Sequence, residues 1–407
     1  MKYLFHLNTF NDIDHITPVI WKVLERGDFV DVIFLSNYQF DKDYRIAFLK
    51  EYSNFSVCRA TILQRVRNKL LFNSKVRNFT YFNRYFNNLL SLISMHIWKN
   101  TYLKQGNVHA VVYEWGAPFR LNHYEAIQRM IPSIVLPHGY NIYLNYELNQ
   151  HIKNIIKSTG KFPDHSSRNN FSTYVVQTKR HMNWSVDWGH EKDKLEVWGS
   201  ARFCPEWSKK NLELCKTMKN SIPSHLTKVV FFLPHWRYNV KIDDVMKLLN
   251  KIQLLDSIYL FIKGHTRGGG SINKDNKHKL SHSKNIVINA PEHSPQLIDF
   301  CDIVINFGSS IAIDALNIGT PIIHTPYLHT NKTIFDTGMV NYIANSDEEV
   351  ITLLTNKKLI LPSKQSIENF FSEEVFAGNR NNDILNIYCQ NILNISKQSF
   401  SKQNISR

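Results

Sequence analysis

The chain has 407 residues, of which 43% are hydrophobic, 13% aromatic and 20% charged, so it can bury large cores and is neither disordered, collagen-like nor a coiled coil. Its 49 Lys and Arg against 34 Asp and Glu give a formal net charge of +15, which indicates an anionic partner. The length fits two or three ordinary domains or one large α/β enzyme.

The five cysteines lie far apart and show neither a CxxC pair nor the spacing of a zinc site, which predicts a reducing cytoplasm. The N-terminus lacks the hydrophobic region of a signal peptide. The most apolar later stretch, Leu89 to Trp98, is about half the roughly 20 residues that a membrane-spanning helix requires. We therefore predict no transmembrane segment.

The first half of the chain alternates strand-like and helix-like segments. A short apolar run, a segment with helical apolar spacing and a second apolar run open the chain as β-α-β, which is typical of a Rossmann-like domain. Further strands and a helix follow, and the alternation predicts a parallel sheet. These segments are Tyr3–Leu7, Ile13–Glu25, Val30–Leu35, Ala110–Tyr113, Leu121–Met130 and Ser133–Leu136.

A basic segment, Val57 to Gln105, interrupts this alternation. It holds nine Lys or Arg and no Asp or Glu, interleaved with apolar and aromatic residues in an irregular helical pattern. Such a segment could contact anionic lipid headgroups or an acidic glycan, or its cations could simply be solvated on an amphipathic helix pair.

A loop-like stretch near Lys157 to Asn170 and two more strands lead to a polar boundary at about residues 216–227. A second β-α-β series follows, so we expect an N-terminal domain over 1–220, a C-terminal domain over 221–390 and a polar, basic, fraying tail over 391–407. The predicted segments are Tyr174–Val176, Leu195–Trp198, Val229–Leu233, Asp243–Gln253, Ile258–Lys263, Ile286–Ile288, Pro295–Cys301, Asp302–Asn306, Ser310–Asn317 and Pro321–Thr325.

The most informative motif follows the strand that begins at Asp302. That strand ends at Gly308-Ser309-Ser310, and a helix follows, so backbone N–H groups, two hydroxyls and the helix dipole would converge on one phosphate. The alternative is that Ser309 only caps the helix and Gly308 only turns the chain. Asp314 would accept bonds from ribose hydroxyls or pair with a surface cation.

Two further strand ends in this half carry cations. One strand delivers Lys263, His265 and Arg267 onto a turn that contains Gly264, where ligands of doubly wound folds collect. His235 and Arg237 follow the first strand of the half and could reach a phosphate or base. Solvated loops are the alternative reading of both segments.

In the first half, His138 follows a strand and lies beside a glycine, so its imidazole could serve as a general base for an acceptor hydroxyl. Glu114 ends another strand and is the second choice for the base, while a structural role for this histidine is the alternative. Asp12-Ile13-Asp14 spells the D-x-D of metal-dependent transferases, but it lacks their sequence context and we interpret it as chance. We therefore expect neither a metal nor a cofactor.

Taken in order, these motifs resemble those of GT-B-fold bacterial surface-polysaccharide transferases, in particular the CDP-glycerol glycerophosphotransferases. His138-Gly139, a Gly-x-x-Arg segment, an aromatic-Arg pair, Lys263-Gly264-His265 and the Ser309-Ser310 segment are similar in type and order. The C-terminal motifs also look like those of bacterial sialyl-, polysialyl- and Kdo transferases, which use CMP-sugars. The resemblance implies two Rossmann-like domains that face a central cleft.

The resemblance further implies roles for single residues. His138 would activate the acceptor, His265 would bind the donor phosphate and assist departure of the nucleotide, and Ser309 with Ser310 would anchor that phosphate. Residues that bind the acceptor are not identified.

The leading hypothesis is a cytoplasmic glycosyltransferase at the inner face of the membrane that moves a sugar, expected to be CMP-linked and acidic, onto a glycan or lipid-linked glycan of capsule, lipopolysaccharide or O-antigen. A CDP-glycerol or CDP-ribitol phosphotransferase and a sugar-nucleotide epimerase are the alternatives. A nucleic-acid-binding protein is a third, but no helix-turn-helix, zinc-finger, RNP or KH signature supports it.

Overall fold

A computed structural model describes residues 1–34, 39–59, 108–115, 131–215, 218, 222–265, 270, 272, 280, 285–355, 359–378 and 383–405. The predicted helix Leu121–Met130 and the basic segment beyond residue 59 lie outside these ranges. Within them, no helix combines the length and the apolar character needed to cross a membrane.

The first of two sheets contains seven parallel strands, and their apolar runs are buried because helices cover both faces of such sheets. The strands are β1 (Lys2–Leu7), β2 (Phe29–Phe34), β3 (Phe55–Arg59), β4 (Ala110–Glu114), β5 (Ser133–Leu136), β6 (Thr173–Val176) and β7 (Leu195–Val197). Their order is β3-β2-β1-β4-β5-β6-β7. The chain therefore changes direction across the sheet between β1 and β4, where doubly wound folds bind ligands.

The second sheet contains six parallel strands and repeats this topology. The strands are β8 (Thr227–Phe232), β9 (Ile258–Lys263), β10 (Ile286–Ile288), β11 (Ile303–Asn306), β12 (Ile322–His324) and β13 (Tyr342–Ile343). They lie in the order β10-β9-β8-β11-β12-β13, with the corresponding change of direction between β8 and β11. Phe231, Ile262 and Ile305 are fully buried in the core of this sheet.

The helices connect and cover the strands. Two of them show why they begin or end where they do: a capping box of Thr9 and Asp12 starts the first, and Gly160, with φ +65°, ends the third. The α-helices are α1 (Phe10–Glu25), α2 (Tyr44–Leu49), α3 (Gln150–Thr159), α4 (Lys179–Asp187), α5 (Pro205–Leu214), α6 (Ile242–Ile252), α7 (Ser294–Phe300), α8 (Ala312–Ile318), α9 (Asp347–Thr355), α10 (Lys364–Phe370) and α11 (Ile384–Ile405).

The chain divides into two compact units, each with one sheet, and the division is not continuous in sequence. It departs from the predicted ranges because Tyr143 bridges to Thr333 of the second unit, while α11 packs against α1 of the first. The first unit comprises Met1–Gly139, Asp164–Cys204 and Asn381–Arg407, and the second comprises Tyr140–Pro163 and Pro205–Arg380.

The predicted α/β class with two Rossmann-like parallel sheets is confirmed, and three strands have the predicted bounds: Ser133–Leu136, Ile258–Lys263 and Ile286–Ile288. Three local predictions differ from the structure. The basic segment begins within strand β3, because its first residues pair with β2. The predicted loop from Lys157 begins inside α3. The expected fraying tail belongs to α11, where Ile392 and Ser396 are fully buried.

Candidate active site

Four polar side chains meet at the carboxyl ends of β1, β4 and β5 in the first unit. Asn8 follows β1, Glu114 ends β4, His138 lies two residues after β5, and Asp12 occupies the first turn of α1. Because these strands are neighbours in one parallel sheet, their carboxyl ends bring the four residues together. We call Asn8, Asp12, Glu114 and His138 the acid–histidine cluster.

The pair of His138 and Glu114 is the centre of the cluster. His138 Nδ1 lies 2.7 Å from Glu114 Oε2, and Asn8 Nδ2 donates to the other carboxylate oxygen at 2.9 Å. Glu114 is only 3% exposed, whereas the His138 side chain is 28% exposed. A buried carboxylate thus accepts the Nδ1 proton, which places the free lone pair of the imidazole on Nε2.

Asp12 supplies a second buried carboxylate. Its Oδ2 accepts from the backbone N–H groups of Asn8 and Thr9 at 2.6 and 2.9 Å, and its Oδ1 lies 3.7 Å from His138 Nδ1. Burial and the nearby Glu114 carboxylate raise the pKa of Asp12, although His138 and the two backbone donors oppose that shift. Asp12 therefore both starts α1 and places a second buried carboxyl group behind the imidazole.

Aromatic contacts flank the histidine. The Trp115 ring centroid lies 6.0 Å from that of His138, and Trp115 is held by a 2.8 Å bond from its Nε1 to the Val175 carbonyl and by stacking on Tyr174. Such packing limits the rotamers of the imidazole. A half-exposed histidine with one nitrogen fixed and the other available has the arrangement of a general base.

The same residues form a group that could hold a metal ion. One ligand atom each from Asp12, Glu114 and His138 lie within 4.8 Å of one another. Carboxylate and imidazole ligands suit zinc or manganese. The prediction that the protein uses no metal stays a prediction.

Asp14, the second acid of the D-x-D sequence, is engaged elsewhere. Its carboxylate lies 2.6 Å from Arg45 Nη1 and 2.7 Å from Arg202 Nε. Burial raises the pKa of Asp14, but the two arginines more than offset this and lower it to about 2. Asp12 and Asp14 therefore serve separate interactions instead of one ion.

In the second unit, three strand ends meet at Pro234, which follows β8. A Cβ atom on Gly270 would lie 2.4 Å from the Pro234 carbonyl oxygen, and one on Gly308 would lie 3.5 Å from Pro234 Cγ and 3.3 Å from the Tyr143 hydroxyl. Glycine is thus required at 270 by close packing of the protein itself. Gly270, beyond β9, and Gly308, after β11, therefore both lie beside the end of β8.

The Gly308-Ser309-Ser310 turn joins β11 to α8 as predicted, and its contacts are local. The Gly308 carbonyl accepts from the Tyr143 hydroxyl at 3.0 Å, and Ser309 N–H donates to Asn306 Oδ1 at 3.1 Å. Ser309 Oγ accepts from the Ile311 N–H at 3.4 Å, a weak capping bond. Both serines are half-buried. Local capping and phosphate binding are therefore both compatible with this geometry.

Lys263, one of the predicted phosphate-binding cations, is already engaged by the protein. Lys263 Nζ donates to the carbonyls of Ala290 and Glu292 at 2.8 and 2.7 Å, and desolvation lowers its pKa, although Glu292 opposes the shift. The ammonium group thus tethers the chain after β10, and a phosphate would have to compete for it or use its remaining proton.

His235, Arg237 and His265 follow strand ends at the same edge of the sheet. The rings of His235 and His265 lie 5.7 Å apart, edge to face. Arg237 is exposed, and its guanidinium bonds to the Tyr238 hydroxyl at 2.9 Å and lies over that ring. Gly264 is half-buried between Lys263 and His265. Arg267 lies outside the described residues.

Asp314 is in α8 and is only 2% exposed. Its carboxylate is therefore not on the solvent face of the helix, and pairing with a surface cation, one of its two predicted roles, does not fit. A ribose would reach it only if the ligand entered the protein interior.

The structure brings together residues that sequence reasoning kept apart. His138 and Glu114 were rival candidates for the base, yet they form one hydrogen-bonded pair. Asn8 and Thr9 were missed, and Asp12 was dismissed with the D-x-D sequence. The available signal was a Thr-x-x-Asp capping pattern directly after the first strand, which places an acid at the sheet edge.

No protein-family model and no curated protein sequence matches this chain. Solved structures match its fold over nearly the whole length. A putative UDP-N-acetylglucosamine 2-epimerase from Listeria monocytogenes has a TM-score of 0.58 at 10% identity, covering 98% of this chain and 97% of that one. The UDP-GlcNAc 2-epimerase from Neisseria meningitidis, bound to UDP-GlcNAc, has 0.57 at 14%, covering 98% and 100%.

UGT89C1 from Arabidopsis thaliana, complexed with UDP, has a TM-score of 0.57 at 11% identity and covers 97% of this chain and 99% of that one. The predicted GT-B fold is confirmed, because these neighbours are GT-B epimerases and glycosyltransferases. Their identities are low enough that the likeness concerns the fold. The neighbours are UDP-sugar enzymes, so use of CMP or CDP by this chain stays a prediction.

Proposed function

We propose that this protein is a GT-B glycosyltransferase that moves a sugar from a nucleotide-activated donor to a bacterial surface glycan. The observation that carries the proposal is the bond between His138 Nδ1 and the buried Glu114 carboxylate at the switch point of the first sheet. The fold supports it, because one neighbour of this fold is bound to the nucleotide-sugar UDP-GlcNAc and another is complexed with UDP.

The chemistry assigned to the pair is general base catalysis. His138 Nε2 takes the proton of an acceptor hydroxyl as the hydroxyl oxygen forms a bond to the anomeric carbon of the donor sugar. The bond from that carbon to the phosphate oxygen breaks, and the nucleotide leaves with its electron pair. The Glu114 carboxylate holds the ring in place and stabilises the imidazolium that forms.

On the donor side, we assign phosphate binding to Ser309, Ser310, His265 and Arg267 in the second unit. Their hydroxyls and cations would offset the charge that develops on the departing nucleotide. The preferred donor is a CMP-linked acidic sugar, and the preferred acceptor is a capsule, lipopolysaccharide or O-antigen glycan. Both follow from the resemblance of the sequence motifs.

Nucleotide-induced thermal stabilisation tests the donor assignment. A ligand that binds only the folded chain raises the Tm, so the protein is measured with CMP, CDP, UMP, UDP, GDP and ADP at moderate salt. We expect a selective rise with CMP or CDP that is lost in Ser309→Ala and His265→Ala but kept in Ser224→Ala, a serine in the turn before β8. A rise with UDP alone would contradict cytidine use, and no rise with any nucleotide would overturn the donor site.

The base is tested by release of CMP from a CMP-linked acidic sugar in the presence of a glycan acceptor. His138→Ala and Glu114→Gln should each lower kcat by about 10²-fold or more, because proton removal from the acceptor is lost or loses its stabilising charge. The donor-induced rise in Tm should persist in both. His151→Ala, an exposed histidine of α3, is the control. An unchanged kcat in His138→Ala would refute this mechanism.

A sugar-nucleotide epimerase is the second candidate, and the UDP-GlcNAc 2-epimerases among the fold neighbours favour it. An epimerase must remove and return a proton at a sugar carbon, for which the acid–histidine cluster also has suitable groups. Conversion of UDP-GlcNAc to its epimer at carbon 2 of the sugar, without any acceptor, would establish this activity. Transfer of glycerol phosphate from CDP-glycerol would instead indicate the phosphotransferase alternative.

A further inference from the structure

A groove in the second unit is separate from all the residues discussed above as catalytic or donor-binding. It encloses about 470 Å³, within the range of small-molecule sites. Three chain segments form it: α3 with the stretches just before and just after it, the residue that precedes Val240, and the stretch after β12. The lining residues are Asn145, Tyr146, Glu147, Lys153, Ile156, Phe162, Asn239, Thr330, Asn331 and Lys332.

The floor of the groove is held by one buried amide. Asn331 Oδ1 accepts from Asn145 Nδ2 at 3.2 Å and from Asn239 Nδ2 at 2.7 Å, while its Nδ2 donates to the carbonyls of Leu148 and Tyr238 at 3.2 and 3.0 Å. Asn331 is 4% exposed, and every polar atom of its side chain is bonded. The three segments are therefore fixed to one another before any ligand binds.

A strained residue lies in this floor. Asn239 has φ +55°, a left-handed conformation that residues other than glycine rarely adopt. Its Nδ2 also donates to the Glu147 carbonyl at 2.8 Å, and its own carbonyl accepts from the Thr330 N–H at 3.2 Å. The bonds that retain this conformation are the same ones that shape the groove.

One wall is aromatic. The rings of Tyr146 and Phe162 stack with centroids 4.6 Å apart and planes inclined by 25°. Phe162 is 37% exposed, which is unusual for phenylalanine, so a flat apolar surface faces solvent beside the polar floor. The C–H face of a pyranose ring can cover such a surface while its hydroxyls reach polar groups.

Charged and hydroxyl side chains make the rest of the groove lining polar. Glu147 lies 3.9 Å from Lys153, whereas Lys332 is exposed and has no carboxylate partner among the described residues. The lining thus has one positive charge in excess. Thr330 is exposed and adds a hydroxyl that can donate or accept.

We propose that this groove binds a sugar residue that carries a carboxylate, as part of an acidic oligosaccharide. The ring stacks on Phe162 and Tyr146, Lys332 pairs with the carboxylate, and Glu147 and Thr330 bond to the hydroxyls. Of the ligand types that such a lining could bind, an acidic sugar uses the aromatic wall, the polar groups and the excess charge together. This binding site goes beyond the proposed transfer reaction and does not depend on it.

Titration calorimetry without nucleotide tests the proposal, with a hyaluronan tetrasaccharide, a sialic acid trimer and neutral chitotetraose as probes. At least one acidic probe should bind more tightly than the neutral one. Phe162→Ala should weaken that binding about tenfold, because the stacking surface is lost. Lys332→Gln should remove most of the preference for the acidic probe and its dependence on salt.

Two control variants make the result specific. Lys157→Gln changes an exposed lysine of α3 outside the groove, and Leu254→Ala removes an apolar side chain that is 74% exposed elsewhere, so neither should alter binding. No binding of either acidic probe at millimolar concentration, or binding that survives both groove variants, would overturn the proposal. The proposal would also be overturned if the groove variants abolished binding to phosphatidylglycerol vesicles but left oligosaccharide binding unchanged, because the groove would then bind a lipid surface. None of these outcomes bears on the nucleotide assays.

Discussion

Asp14 shows how a single side chain can decide stability in the first unit. It joins Arg45 of α2 to Arg202, and both arginine side chains are almost fully buried, at 1% and 4% exposed. Arg45 also bonds to Asp43, so its charge is shared between two carboxylates. Removing one carboxylate from such a set leaves a buried guanidinium charge incompletely neutralised. The free energy lost in this way is larger than the net stabilisation that the ion pair provides.

Asp14→Asn should therefore lower the free energy of unfolding by about 2 kcal/mol or more near neutral pH. The pKa of Asp14 is about 2 in the folded chain against an ordinary 3.8, so this stabilisation is complete above pH 3.8 and is lost as the pH falls through 2. Urea unfolding of both proteins across that range should show the difference shrinking. Asp41→Asn, at an exposed pair with Lys50, should change stability by less than about 0.5 kcal/mol. An Asp14→Asn variant as stable as the wild-type protein at neutral pH would refute the argument.

At the scale of elements, most strands and the amphipathic helix α6 lie within one or two residues of their predicted bounds, whereas the end of α3 does not. Parallel strands covered on both faces are continuous apolar runs, and β5 and β9 have the predicted bounds for that reason. Strand β10 also has its predicted bounds, although it lies at the edge of its sheet and its residues are only half-buried. Helix α3 has no buried residue, and its last residues, from Lys157, fall in the predicted loop. Its isoleucines nevertheless have helical spacing, Asn149 caps its start and Gly160 ends it.

The candidate site was predictable only in part. Strand ends identified Glu114 and His138, because the carboxyl edge of a parallel sheet collects functional groups. Their bond depends on how β4 and β5 pair, and a single sequence does not give the side-chain rotamers that decide it. Lys263 illustrates the opposite outcome, since its position at the edge was right but its ammonium bonds to backbone carbonyls.

Helix α11 provides a prediction at this scale. Ile392 is fully buried where α11 contributes to the first unit, whereas Asn394, in the same turn of the helix, is exposed. Ile392→Ala should lower the free energy of unfolding by about 2–4 kcal/mol, through lost burial and the cavity left behind. Asn394→Ala should leave it within about 0.5 kcal/mol, as measured by urea unfolding. Equal effects of the two variants would show that the helix is solvated there.

For the molecule as a whole, three desolvated histidines, of which His190 and His329 are buried and His165 is half-buried, contribute to the response to acid. Desolvation, reinforced by Arg168, lowers the pKa values of His165 and His190 in the first unit to about 4. Desolvation, reinforced by His324, does the same for His329 in the second unit. In each case the unfolded chain binds protons more readily, so stability is complete above the ordinary value of 6.5 and falls with pH toward 4.

Both units should therefore lose stability between pH 6.5 and 4, by up to about 3 kcal/mol for each of these histidines. Denaturant unfolding followed across that interval should give a steep decline. His190→Asn should make the decline shallower, while His151→Asn, at an exposed position, should not change its slope. A pH-independent wild-type stability in this interval would contradict charge-neutral burial of these rings.

The discontinuous division of the chain has a consequence for biosynthesis. The chain passes between the two units after residues 139, 163, 204 and 380, and α11, which packs against α1, belongs to the first unit. A ribosome releases these last residues only after the whole second unit has been made. The first unit is thus completed only after the second, and a chain that stopped before α11 would leave the apolar surface that α11 covers on the first unit exposed.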